Sequence, residues 1–201
     1  MKKLLTVGAA LAAAAICTLS TQAADVSHTV VKNDTMWKLA VKYEVGMQEI
    51  IEANTQIRNP DLIYPGQILT IPLPDAAVSA YESEVVNLIN EIRAENGLQP
   101  LKMNWELARV ARYKSQDMVD NSYFSHNSPT YGSPYDMMRA FGITYRTAGE
   151  NIAYGYRTPQ AVVDAWMNSA GHRANILNAT YTQIGVGYVA DGHYWTQMFI
   201  S

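Results

Sequence analysis

The chain is almost without cysteine: Cys17 is the single one in 201 residues. It lies in an apolar stretch at the N-terminus, so the rest of the chain has no disulfide, no thiol nucleophile and no thiolate metal site. An excess of either charge is also missing. Fifteen Lys and Arg stand against 18 Asp and Glu, a formal net charge of −3. That excludes the broad basic face with which proteins hold nucleic acid or an anionic membrane surface. The sequence has no glycine-rich phosphate loop, no serine in a Gly-x-Ser-x-Gly elbow and no internal repeat. What remains is a hydrophobic share of 48%, which excludes a largely disordered chain.

The first residues have the order of a targeting segment. Lys2 and Lys3 precede an apolar run from Leu4 to Leu19, and Thr21-Gln22-Ala23 puts small residues at both positions of a cleavage site. Residues 1–23 are therefore read as a signal peptide cut after Ala23, and no stable membrane insertion is expected after cleavage. A retained anchor would need a longer run. Lipoprotein processing at Cys17 would need a small residue where Ile16 stands. An exported chain with no disulfide has to be held by packing alone.

Residues 28–72 form one compact unit. His28-Thr-Val-Val-Lys32 alternates and is β-branched, which predicts a strand. Asp34 or Thr35 can cap a helix carrying Met36, Leu39, Ala40 and Tyr43 at helical spacing. Gly46 interrupts, and a shorter helix ends near Asn54. Asn59-Pro60-Asp61 and Tyr64-Pro65-Gly66-Gln67 are turns, and Ile68 to Ile71 closes the unit as a strand. The stretches Val30 to Ala40, Ile51 to Asn54 and Ile63 to Pro72 resemble a LysM domain. The departure is Asn33, where that family has Gly; Asn tolerates the same left-handed backbone. The resemblance implies a βααβ fold that binds peptidoglycan or another N-acetylglucosamine glycan. Its groove would lie between Asn33, Asp34, Thr35 and Met36 on one loop and Pro60, Asp61, Leu62 and Ile63 on the other. For Asp34 and Thr35 capping is compatible with that role; for Met36 and Ile63 core packing is the competing reading.

Residues 73–80 read as a linker, short enough to keep two domains close. The second domain, residues 82–201, starts with an amphipathic helix (Val85, Leu88, Ile89, Ile92) that Gly97 stops. Asn104 caps a second helix whose stripe is Leu107, Ala108, Ala111, Ser115 and Met118. A polar segment from Asn121 to Ser133 leads to a short helix over Pro134 to Phe141. Thr158-Pro159 starts another helix. Two strands, Ile184 to Val189 and Tyr194 to Ile200, are joined by a turn at Asp191-Gly192. Gly185 and Gly187 share one face of the sheet and predict a helix backbone packed against it.

Phe124-Ser125-His126, Gly149-Glu150-Asn151-Ile152, Trp166 to Leu177 and Tyr194-Trp-Thr-Gln197 together resemble the CAP superfamily of cysteine-rich secretory, antigen 5 and pathogenesis-related 1 proteins, in its cysteine-free bacterial form. The implied fold class for the whole chain is α+β, a small LysM domain followed by an α-β-α sandwich. The resemblance also implies a location in the cell wall or spore envelope, with an envelope protein as a second partner. The family cleft gathers two His and two Glu. His126, Glu150 and His172 match three of them, and Ser169 stands where the second Glu is expected. The trio would be catalytic, as general bases beside a polar cleft, or would hold zinc, with His126 and His172 as the metal ligands and a water in the open position. Against a functional role, His172 could only bond helix-end carbonyls, Glu150 could only pair with Arg173, and His126 could simply be exposed. Asn151 and Asn175 read as structural hydrogen-bonders. Three functions stay open at this point: a wall-binding protein, a metal-assisted hydrolase acting on envelope material, and a lipid binder.

Overall fold

The computed structural model describes residues 25–201; the leader, Cys17 included, lies outside the described residues. The first unit runs β1 (Asp25–Thr29), α1 (Met36–Tyr43), α2 (Met47–Glu52) and β2 (Ile68–Pro72). The strands pair antiparallel from Asp25 opposite Pro72 to Thr29 opposite Ile68, so β1 lies earlier than the expected 28–32. Thr35 caps α1 by accepting the Lys38 N–H at 3.1 Å. Glu44, at φ 55°, turns the chain out of α1, and Gly46 opens α2. Leu39, Ile50, Leu69 and Ile71 fill the core, and Met36 lies among them at 3% exposure. Asn54, also buried, accepts the Thr70 N–H and donates to Ile50 O, tying α2 to β2.

The expected linker is shorter than 73–80. Helix α3 (Ala76–Glu95) starts at once, with Asp75 Oδ1 accepting the N–H groups of Ala77 and Val78. The alanine-rich stretch is a strong helix former next to a good cap. Ser79 and Glu82, which have the spacing of a capping box, lie inside this helix and do not start it. Glu82 is instead buried, where it takes both Arg112 Nε and Nη2 and the Tyr188 N–H.

The second unit adds β3 (Lys102–Met103), α4 (Trp105–Asp120), α5 (Pro134–Ala140), β4 (Ala148–Ala153), α6 (Pro159–Asn168), α7 (Ala170–Ile176), β5 (Gln183–Val189) and β6 (Tyr194–Ile200). The sheet order is β3-β5-β6-β4, parallel for the first pair and antiparallel for the others. Alternation along β5 and β6 builds two cores. Ile184, Val186, Trp195 and Phe199 pack with Val85, Ile89, Val163 and Trp166 of α3 and α6. Met198 and Ile200 pack with Leu107, Val110 and Met138 of α4 and α5. The chain is thus α+β, a βααβ unit followed by an α-β-α sandwich.

Gly185 and Gly187 do face one helix. A Cβ at Gly185 would overlap the backbone of Leu107 and Ala108, and one at Gly187 that of Ala111 and Arg112. Two elements had no expectation from the sequence, and one expectation needs correction. The Gly149–Asn151 segment is an edge strand, β4, which its polar composition had hidden. The Trp166–Leu177 stretch is two helices, broken at Ser169 by its extended φ of −101° and ψ of 122°. The final hairpin spans four residues between Val189 and Tyr194, with Gly192 and His193 both at positive φ. Between the units, Glu49 of α2 takes Arg109 Nε at 2.5 Å and the Tyr113 hydroxyl at 3.0 Å. Burial and this carboxylate push the Tyr113 hydroxyl up to about 12. No helix among the described residues is long and apolar enough to cross a membrane.

Two glycines give opposite outcomes. Gly187→Ala forces a methyl into helix backbone and is expected to lower stability in urea unfolding by about 1–3 kcal/mol or more. Gly171 lies in α7 with open space around it, and Gly171→Ala is expected to raise stability by about 0.4–1 kcal/mol.

Candidate functional site

Strand β4 divides the site. Its successive side chains point to opposite faces. Glu150 reaches His126, whose Nδ1 is 2.7 Å from Oε1. Asn151, on the other face, donates to His172 O at 3.1 Å and to Gln197 Oε1 at 2.9 Å, and accepts from Asn175 at 2.8 Å. Asn175 also donates to Glu150 O. The two asparagines therefore brace β4 against α7 and β6, as expected of structural hydrogen-bonders.

The Glu150 side chain is 2% exposed and that of His126 55%. Oε2 of Glu150 is buried without a hydrogen-bond partner. Burial pushes this carboxyl above the ordinary range, and the His126 hydrogen bond and the charge of Lys114 pull it part of the way back. Arg173 is not its partner; it donates to Met167 O.

His172 lies in the first turn of α7, at the N-terminal end and not at an end with free carbonyls, and its Nδ1 is buried with no hydrogen-bond partner. Burial, and then the nearby charge of His126, lowers its pKa and favours the neutral ring. His126 and Glu150 line a cleft of about 330 Å³ with Asn127, Tyr135, Asn175 and Tyr181. His172 lines a separate cavity of about 490 Å³ with Phe124, Ile152, Tyr154, Tyr156, Trp166 and Ser169. Two of the three predicted residues are thus joined directly, and the third opens into a different, more aromatic space.

Among the described residues no three His, Cys, Asp or Glu side chains gather closely enough to hold a metal ion, so a zinc held by His126 and His172 remains what the resemblance implies. Glu150 Oε1 and His126 Nδ1 are taken up with each other, and Nε2 of His126 stays open to other partners. What the pair can do is move a proton: a carboxylate fixes one ring nitrogen and leaves the other toward solvent.

In the first unit, the pairing of Thr29 with Ile68 brings the turn after β1 and the loop before β2 to one end of the small sheet. Asn33 sits at φ 75°, the left-handed conformation expected of it. Asn33, Thr35, Asp61 and Leu62 are exposed there, and Pro60 is half-buried. Met36 is corrected: its side chain belongs to the core, because it is the first apolar residue of the α1 stripe. Ile63 is half-buried against the same core. Asp34 turns back to its own domain, accepting from Val31 N at 2.9 Å and lying 2.8 Å from His28 Nε2. These contacts hold its carboxyl below the usual range.

Comparison with known proteins places both units. Residues 86–199 match the Cysteine-rich secretory protein family, CAP, and residues 28–72 match the LysM domain. The chain belongs to the CAP family, and carries a LysM domain in front. Its CAP domain is 62% identical over 125 residues to YkwD of Bacillus subtilis, covering 62% of this chain and 49% of YkwD. It resembles the crystal structure of an extracellular SCP-domain protein of Bacillus anthracis at 36% identity and TM-score 0.60, covering 68% of this chain and 47% of that one. The LysM domain is 49% identical over 45 residues to the spore coat assembly protein ExsA of Bacillus cereus, which is 22% of this chain and 7% of ExsA. The chain spans less than half the length of the curated relatives it matches.

Within the CAP domain, Ser169 is where the helix breaks and lines the larger cavity beside His172. Sequence reasoning missed the residues that hold the His126 loop, Lys114 and Asp117 of α4. It also missed the aromatic wall formed by Phe124, Tyr154 and Tyr194. Lys114 carried a signal: it lies seven residues after Leu107, on the buried face of α4.

The His172 environment makes a prediction about protonation. In an NMR titration its ring should lose its proton below the ordinary value of 6.5 and be neutral at pH 7. His126→Gln removes the neighbouring charge, so the His172 midpoint should rise.

Proposed function

We propose that this is an exported peptidoglycan-binding protein whose LysM domain anchors the CAP domain in the cell wall or spore envelope. The observation that carries the reading is the LysM unit itself. Its two ligand-facing loops share one end of the sheet, with Asn33 in the required left-handed turn. The exposed Leu62 offers apolar surface to a sugar face. The naming of ExsA as a spore coat assembly protein supports an envelope location. An envelope protein would be the CAP domain's partner in that setting.

A second reading is supported by the His126–Glu150 pair, a buried carboxylate set against a solvent-facing imidazole. In this reading the pair performs general acid–base hydrolysis of envelope material.

One experiment addresses both. Purified peptidoglycan should retain the protein, and soluble N-acetylglucosamine oligomers should compete. The double variant Asp61→Ala, Leu62→Ala leaves the Asn33 turn untouched and should lose roughly tenfold or more in affinity, about 1.4 kcal/mol. Equal retention would contradict the assigned groove. Soluble fragments released by the parent and not by Glu150→Gln would favour the hydrolytic reading; none from either would remove it.

A further inference from the structure

Strand β1 points a histidine where its alternation calls for an apolar residue. His28 is 9% exposed, on the same side of the chain as the buried Val30. A polar ring placed there costs free energy unless both of its nitrogens are satisfied. Both are: Nδ1 lies 2.9 Å from the hydroxyl of Tyr43, the last residue of α1, and Nε2 lies 2.8 Å from Asp34 Oδ2. An ionised carboxylate only accepts, so Nε2 carries the proton, and the neutral ring takes the Tyr43 O–H at Nδ1.

Asp34 passes this hold on to the turn before α1. The same Oδ2 accepts the Val31 N–H at 2.9 Å, while the Asp34 N–H donates to Val31 O at 3.1 Å. The turn from Val31 to Asp34 is thereby closed from both ends, with Asn33 inside it at φ 75°. From α1, Lys38 Nζ donates to Asn33 O at 2.7 Å. Asn33 and Thr35 are exposed, whereas His28, at the root of these contacts, is buried.

We propose that Tyr43, His28 and Asp34 form a brace for the glycan-binding turn: His28 is its positioning residue, and Asp34 serves the glycan by holding the turn rather than by touching the sugar. An apolar side chain of the same size would fill the space behind the turn. Only a group with a donor at the Nε2 position also holds the Asp34 carboxylate. A loop ordered before the ligand arrives avoids part of the ordering cost of binding. The proposal rests on reading the LysM loops as the glycan site, and it does not involve the CAP cleft.

The test measures the affinity of the full chain for a soluble N-acetylglucosamine oligomer, with hydrogen exchange of the Val31 and Asp34 amides followed by NMR on the same samples. His28→Phe keeps the bulk and removes both hydrogen bonds. It should bind roughly tenfold more weakly and speed exchange in the turn but not in the core strands. His28→Gln returns an N–H near the Nε2 position and should recover most of the affinity. Combined with Asp34→Ala, His28→Phe should add no loss beyond that of Asp34→Ala alone, as for two members of one chain of contacts. Losses that multiply, a Gln variant no better than Phe, or a Phe variant that matches the parent in both readouts would each overturn the brace. If His28→Phe does not fold, Tyr43→Phe decides. It frees Nδ1 while leaving Asp34 its donor, and should speed exchange in the turn and cost roughly threefold in affinity; no change in either would overturn the brace. A parent that binds no oligomer would sink the anchoring proposal. Exchange in the turn of His28→Phe then settles the brace alone, faster than the parent for it and equal to the parent against it.

Discussion

Gly185 and Gly187 present no side chain to α4, and the helix backbone lies directly against them. The rest of the molecule depends on this close approach, because α4 makes the connections of every other part. Ser115 Oγ lies 3.0 Å from Gly187 O and 2.9 Å from Thr196 Oγ1, which fixes the helix to β5 and β6. From that seat Arg109 reaches Glu49 in the LysM domain, Arg112 reaches Glu82 in α3, and Lys114 and Asp117 hold the His126 loop. Four polar side chains on one helix thus join the anchor, the sandwich and the candidate site. The apolar side of the same helix, with Leu107, Val110, Ala111 and Met118, keeps it in place.

The edge strand β4 sets what the site can be. A carboxylate at Glu150 and an amide at Asn151 necessarily face opposite ways. The first meets His126 and the charge of Lys114; the second meets the backbone of His172. The two histidines therefore open into different spaces, one a small polar cleft and the other a larger aromatic cavity. A set of residues that looks like one constellation along the chain becomes a hydrogen-bonded His126–Glu150 pair beside a separate pocket.

Much of this was legible in the sequence where a residue has a single physical reason to be where it is. Asn104 and Thr158 cap their helices as their side-chain oxygens dictate. Gly185 and Gly187 announced a packed helix, and the LysM boundaries fell at 28 and 72, as in the family match. What was not legible had two competing reasons. Ala76 to Ala80 lacks an apolar stripe and read as linker, yet alanine with Asp75 in front is enough to start α3. Gly149-Glu150-Asn151 is too polar to read as a strand, because its polar groups are satisfied by His126, Asn175 and Gln197, partners distant in sequence. Met36 was assigned to a groove although its place on the α1 stripe put it in the core. Lys114 was passed over for the same reason in reverse, as a charge on a buried face whose acceptors are loop carbonyls.

The proposed function divides the labour: the glycan is held by the LysM loops, while the α4-supported CAP cleft is free for other work. It is tested most directly by NMR shift mapping of the full chain with a soluble N-acetylglucosamine oligomer. Perturbations are expected to be confined to the Asn33–Thr35 turn and the Pro60–Ile63 loop, with the His126, Glu150 and His172 signals unmoved. Perturbations centred on the CAP cleft, with the LysM loops silent, would contradict it.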